Sequence, residues 1–105
     1  MALTETTIKE LRVYLDITWE DDSLDMKVQH VAERGAAYLD RLTGKINDYE
    51  ADSIIKGLLF DYVRYAQAEA IEDFEKNFIG LLKQQQLDAM AEAQLAEDQN
   101  AEDGG

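Results

Sequence analysis

The chain of 105 residues is predicted to be all-α: a small bundle of three to four helices with an extended, partly disordered acidic C-terminal tail. Three observations predict this class. Proline, which breaks helices, does not occur in the sequence. Residue types that favour helix recur along the chain, and apolar residues return at intervals of three and four. The length suits one domain with one modest core.

The first helix is predicted over about residues 5–15. Thr4 or Thr7 can cap it, and Thr7 with Glu10 has the spacing of a capping box, in which each side chain bonds the other's free backbone N–H. The apolar residues behind the cap recur every three or four positions and form a single stripe: Ile8, Leu11, Tyr14 and Leu15.

Asp22 or Ser23 is predicted to cap the second helix, which is predicted to end at Gly44, a residue suited to a left-handed C-cap. Its apolar seam has heptad spacing and consists of Leu24, Val28, Val31, Gly35, Tyr38 and Leu42. Gly35 costs about 1 kcal/mol of helix propensity relative to Ala. We therefore expect a neighbouring helix to approach closely at Gly35.

The remainder is predicted as a loop at 45–52, a third helix that starts near Ser53 and passes through Ala70 toward Phe74, and a fourth apolar stretch in which Gly80 either breaks or weakens the helix. Large apolar residues nearly vanish after residue 90, and fraying is expected beyond about Ala93. The expected organisation is a helical domain at 1–83 and an acidic helical or disordered tail at 84–105.

Charge limits the classes of partner. The chain has 23 acidic and 10 basic side chains, a net charge of −13, and residues 84–105 hold six of the acids and none of the bases. Binding to nucleic acid through a basic patch and binding to anionic membranes are both disfavoured. No segment is predicted to span a membrane or to act as a signal peptide, so we expect a soluble intracellular protein.

Sequence motifs for catalysis, metal binding or cofactor binding are weak. The chain has no cysteine, and its one histidine, His30, has no motif around it and is either an ordinary surface residue or a pH-sensitive contact. The acids at 20–25 lack the central glycine of an EF-hand loop, and those at 69–75 spread around a helix. We expect no catalytic residue, metal or cofactor, with a helical enzyme or metal protein kept as a minor hypothesis.

Aromatic residues point to interaction instead. Trp19 lies in an acidic segment, where it is either an interface anchor or a buried staple that closes the first two helices. Phe74 and Phe78, with Ile71, lie beyond the expected bundle. Either the core of this chain covers them or a second protein does.

Taken in order, several segments resemble the head-tail connector, or head-completion adaptor, proteins of tailed bacteriophages and prophages. The similar motifs are YLDI at 14–17, DDSL at 21–24, YLDRLTG at 38–44, IIKGLL at 54–59 and EDFEKNF at 72–78. The resemblance covers about residues 3–83. Two departures are the Asp52–Ser53 pair, where many members carry proline, and the acidic tail, which has no counterpart.

The resemblance implies a structural role and no catalytic residues. Such proteins are helical subunits that assemble as a homo-oligomeric ring, commonly of twelve, beneath the portal protein of the phage head. The ring extends the DNA channel, which DNA crosses without specific binding, and offers a docking surface to a further connector or tail protein. The implied location is the head-tail junction of the virion, with host cytoplasm during assembly and no membrane.

A closed ring of identical subunits needs two different patches on each chain. One patch is predicted around Arg41, Lys45 and Tyr49. The other is predicted at the acidic and aromatic residues Trp19, Glu72, Asp73, Phe74 and Phe78. The alternative function is a small acidic inhibitor that mimics DNA and blocks a nucleic-acid-binding protein. The net charge of −13 is the observation that suggests it.

Overall fold

Four helices make up most of the described part of the chain, and the all-α prediction is confirmed. The computed structural model describes residues 3–51 and 53–103, with side chains described as far as residue 98. The helices are α1 (Glu5–Tyr14), α2 (Asp22–Thr43), α3 (Ile54–Gln67) and α4 (Ile71–Asp103). No helix among these residues combines the length and the apolar character that a membrane span requires. Asp52, at the end of the predicted loop, lies outside the described residues.

Polar caps fix the ends of α1 and α2. Thr4, rather than Thr7, caps α1, and its hydroxyl accepts from the backbone N–H of Thr7 at 3.3 Å. Asp21, rather than the predicted Asp22 or Ser23, caps α2 and accepts from the N–H of Leu24 at 3.1 Å. Gly44 ends α2 in the left-handed conformation with φ of 71°, which confirms the predicted C-cap.

A turn between α3 and α4 corrects the prediction of one helix running to Phe74. α3 ends at Gln67, Glu69 adopts a positive φ of 56°, and α4 begins at Ile71. A left-handed residue other than glycine costs about 1–2 kcal/mol. Burial of Phe74, which is 2% exposed, offsets that cost because the turn aims the first turns of α4 at the core.

α4 has 33 residues and passes through Gly80 without a break. At 1.5 Å per residue it is about 50 Å long, and it gives the molecule its longest dimension of 58 Å. The backbone stays helical to Asp103, beyond the point where fraying was predicted. The boundary predicted at residue 83 falls inside this helix, and Ala89 is still buried against the bundle at 7% exposure.

The close approach predicted at Gly35 is confirmed. A Cβ atom at Gly35 would stand 2.6 Å from Cδ1 of Tyr62 and 3.0 Å from Cδ1 of Leu59, so α2 and α3 touch there. The main core forms around this contact and includes Tyr49, Phe74 and other buried residues of α2, α3 and α4. A smaller cluster joins α1 to the bundle and consists of Leu11, Val28, Ala32 and Val63.

α2 and α4 run side by side in the same direction, which gives the bundle two distinct ends. At the first, Ile71 at the start of α4 shares a groove with Lys27 and Arg34 of α2. At the second, Glu92 of α4 bonds Lys45, just beyond α2. We call these the Ile71 end and the Lys45 end.

Candidate functional site

Asp40 organises the loop that follows α2. Its Oδ1 atom accepts from the backbone N–H of Asn47 at 3.1 Å, from the Asn47 side-chain amide at 2.9 Å and from the Tyr49 hydroxyl at 2.6 Å. The Tyr49 hydroxyl also lies 3.1 Å from the carbonyl oxygen of Ala36. Burial, and then the hydrogen bond and charge of Asp40, raise the pKa of Tyr49 above its ordinary value of 10.0.

The structure therefore corrects the placement of Tyr49 at an interface. Its side chain is fully buried in the main core. Arg41 and Lys45, the other members of that predicted patch, are exposed at the Lys45 end. Lys45 places its Nζ atom 2.8 Å from Oε2 of Glu92, so this cation already has a partner within the chain.

Arg12 holds the acidic segment that carries Trp19. Its guanidinium bonds both carboxylate oxygens of Asp25, at 2.6 and 2.7 Å, and also the carbonyl oxygen of Trp19. The backbone of the segment is thus fixed, while the indole remains 54% exposed. Of the two alternatives for Trp19, this exposure fits the interface anchor and not the buried staple.

The two phenylalanines of the second predicted patch lie in different environments. Phe74 is a core residue, with ring centroids 5.4 Å from Tyr62 and 6.0 Å from Tyr65, which corrects its placement at an interface. Phe78 is partly buried, 5.6 Å from the Tyr65 ring. The core of this chain, rather than a second protein, covers Phe74.

The acidic part of that patch remains on the surface. Glu72 and Asp73 are exposed in the first turn of α4. They lie at the Ile71 end, whereas Arg41 and Lys45 lie at the Lys45 end. The structure thus brings Glu72 and Asp73 together and keeps them apart from the two cations within one chain.

A groove at the Ile71 end was not predicted. It has a volume of about 440 Å³, and its lining is Lys27, Val31, Arg34, Tyr62, Ala66, Glu69 and Ile71. Lys27 and Arg34 are seven positions apart, so the sequence places them on one face of α2. Helical periodicity does not predict that residues of α3 and α4 also line the groove, because only the turn at 68–70 brings Ile71 beside α2.

Chemistry at the described residues is sparse. His30 is exposed on α2. No three acidic, histidine or cysteine side chains within residues 3–51 and 53–98 are grouped so as to hold a metal ion. Every buried polar side-chain atom in the same ranges has a hydrogen-bond partner, so none is left aimed at a ligand.

Comparison of the chain with protein-family models, with curated protein sequences and with solved structures finds no match.

Proposed function

We propose that this protein is a structural subunit of the head-tail connector of a tailed bacteriophage. It assembles as a ring beneath the portal, extends the DNA channel and gives a docking surface to the next connector or tail protein. The proposal starts from the sequence resemblance. The observation that carries it furthest is that the motifs of the resemblance coincide with the ends of helices.

Each of the five motifs lies at such an end, and YLDI spans the C-terminal end of α1, where Leu15 is the C-cap. DDSL supplies Asp21, the N-cap of α2, and YLDRLTG supplies both Asp40 and the left-handed Gly44 at its C-terminus. IIKGLL opens α3, and EDFEKNF forms the first turns of α4 and carries Phe74 into the core. The motifs of the resemblance therefore include two helix caps and a core residue of this fold.

The arrangement of the bundle also suits a ring. Heterologous contacts join two different surfaces of neighbouring copies. The exposed residues of the two predicted patches lie toward opposite ends of the bundle, with Arg41 and Lys45 at one end and Glu72 and Asp73 at the other. Copies stacked end to end around an axis would bring Arg41, which none of the ion pairs among the described residues engages, toward Glu72 and Asp73 of the next copy.

The acidic DNA mimic is less well supported. Mimicry of a duplex needs a continuous acidic surface that presents charge as two phosphate rows do. In this chain, Lys27, Arg34 and Arg41 are exposed along α2 and interrupt the acidic surface there. Binding of the protein to a DNA-binding protein, lost as salt is raised, is the result that would favour the mimic.

The experiment is to mix the protein with the portal protein encoded by the same genome and to measure the mass of the complex by size exclusion with light scattering. We expect a portal ring that carries several copies of this chain. Trp19→Ala should weaken binding about tenfold, as for an interface anchor. Val13→Ala is the control, because Val13 is 77% exposed and lies in neither patch. A protein that ignores the portal contradicts the proposal.

A further inference from the structure

The groove at the Ile71 end has the chemistry of a receptor for an acidic helix. Val31, Tyr62, Ala66 and Ile71 give it apolar walls, and Lys27 and Arg34 add two cations. The ion pairs among the described residues engage other cations, so neither Lys27 nor Arg34 is neutralised by one. Glu69 is the one acid in the lining.

The second half of α4 has the complementary chemistry. Leu87, Met90 and Leu95 are 58%, 62% and 61% exposed, and with Ala91 they follow helical spacing along one face. By the same periodicity, Asp88 and Glu97 flank that face on either side. No basic residue occurs after Lys83. Amphipathic helices commonly bind by laying such a face into an apolar groove.

Within one chain, this helix face cannot reach the groove. Ile71 lines the groove, and Met90 lies 19 residues further along the same helix, which is about 28 Å at 1.5 Å per residue. Burial of Ala89 and the bond between Glu92 and Lys45 fasten α4 to the other end of the bundle. Any α4 of this protein that fills the groove must come from another copy.

We propose that the face of α4 formed by Leu87, Met90, Ala91 and Leu95 docks in the groove of a second copy of this chain. Asp88 and Glu97 then approach Lys27 and Arg34 of that copy. Because the two surfaces differ, the contact is head to tail and repeats from copy to copy until it closes. The proposal rests on the proposed function for ring closure, and it names the surfaces through which neighbouring subunits meet.

Cross-linking tests this contact directly, since the chain has no cysteine of its own. Ile71→Cys protein is mixed with Met90→Cys protein and treated with a short bismaleimide, both free at high concentration and bound to the portal. We expect the mixed dimer to exceed its yield from a Val13→Cys and Met90→Cys mixture about tenfold, because Val13 is more exposed than Ile71, at 77% against 41%, but lies outside the groove.

Charge exchange provides the second readout. Lys27→Glu with Arg34→Glu should lower the yield of the Ile71–Met90 cross-link about tenfold, because like charges then face each other. Asp88→Lys with Glu97→Lys, placed on the Met90→Cys partner, should restore it. Circular dichroism of each variant checks that the helices are intact. If the reversal on the groove has no effect, or the exchange restores nothing, the proposed contact is wrong.

The outcomes separate the two proposals. Portal binding without the groove-to-α4 cross-link, or with α4 cross-linked to the portal instead, overturns the docking contact and leaves the connector role standing. The cross-link without portal binding supports the contact and contradicts the connector role. Absence of the cross-link from both the free and the portal-bound sample overturns the contact outright.

Discussion

Replacement of Gly35 by alanine tests the packing on which the bundle depends. In an unobstructed helix this change is favourable by about 1 kcal/mol, because glycine loses more backbone entropy on folding than alanine does. In this protein the new methyl group would lie 2.6 Å from Cδ1 and 3.1 Å from Cε1 of Tyr62. Ordinary contacts of a Cβ atom are 3.4–4 Å, so the ring must move or the helices must separate.

The Tyr62 ring packs against two other aromatic rings, and its side chain also lines the groove at the Ile71 end. It is 8% exposed, stacks on Tyr38 with ring centroids 6.0 Å apart, and meets the edge of Phe74 at 5.4 Å. Overpacking of a filled core costs about 1–3 kcal/mol. After the gain in helix propensity of about 1 kcal/mol is subtracted, Gly35→Ala should lower the free energy of unfolding by up to about 2 kcal/mol.

Two other glycines provide matched controls. Gly57 in α3 and Gly80 in α4 have no atom within 4 Å of an added Cβ, and neither has a positive φ. Alanine at either position should raise the free energy of unfolding by about 0.5–1 kcal/mol. Urea unfolding followed by circular dichroism, with thermal melts beside it, measures all three variants.

The test is whether alanine lowers the stability at Gly35 and raises it at Gly57 and Gly80. One kcal/mol corresponds to about 4–8 °C in Tm for a domain of this size. A Gly35→Ala variant that melts above the parent protein contradicts the close contact with Tyr62. Destabilisation of Gly57→Ala and Gly80→Ala as large as that of Gly35→Ala also contradicts it, because the effect would not then come from Tyr62.

Three further changes have defined outcomes. Tyr49→Phe removes the hydrogen bond to Asp40 and should cost about 1–3 kcal/mol at neutral pH. Because the folded state holds the pKa of Tyr49 above the ordinary 10.0, the parent should lose stability as pH rises past 10, and the variant should lose up to about 1.4 kcal/mol less per pH unit; urea titrations with equal pH slopes contradict this. Phe74→Ala should cost about 3–5 kcal/mol, measured as a lost cooperative melt, whereas a melt like that of the parent means that Phe74 is not a core residue. Asp21→Ala should cost about 1 kcal/mol by removing the cap of α2, and Asp22→Ala should cost less; the reverse order in urea unfolding contradicts the assignment.

Local sequence signals predicted the features that depend on neighbouring residues. The left-handed end of α2 follows from Gly44, and the contact between α2 and α3 follows from a glycine inside a heptad seam. Both follow from the missing side chain of glycine, which allows the positive φ at Gly44 and the close helix contact at Gly35. The α-helical class follows in the same way from propensity and spacing.

Features that depend on distant contacts could not be predicted. The turn after α3 is formed by Ala68, Glu69 and Ala70, a run without glycine or proline, and burial of Phe74 is what makes it favourable. Tyr49 stands in a polar loop, and its burial is acceptable because its hydroxyl finds partners in Asp40, nine residues away, and in the carbonyl oxygen of Ala36. The interface role predicted for Phe74 and Tyr49 failed for this shared reason.

Part of the predicted interface lies on the surface of the folded chain. Trp19, Arg41, Glu72 and Asp73 remain exposed, as an interface requires, and whether they contact a partner stays a prediction. Two cations of the groove, Lys27 and Arg34, share a helix face that the sequence alone displays. The groove itself needs three helices in place, so it appears only in the folded chain.

The most direct test of the proposed connector role is a cryo-electron microscopy reconstruction of the portal protein encoded by the same genome after incubation with this protein. The account predicts a closed ring of copies beneath the portal, with the second half of each α4 lying against the Ile71 end of the neighbouring copy. A portal that shows no added density, while the protein is folded and in excess, would contradict the connector role.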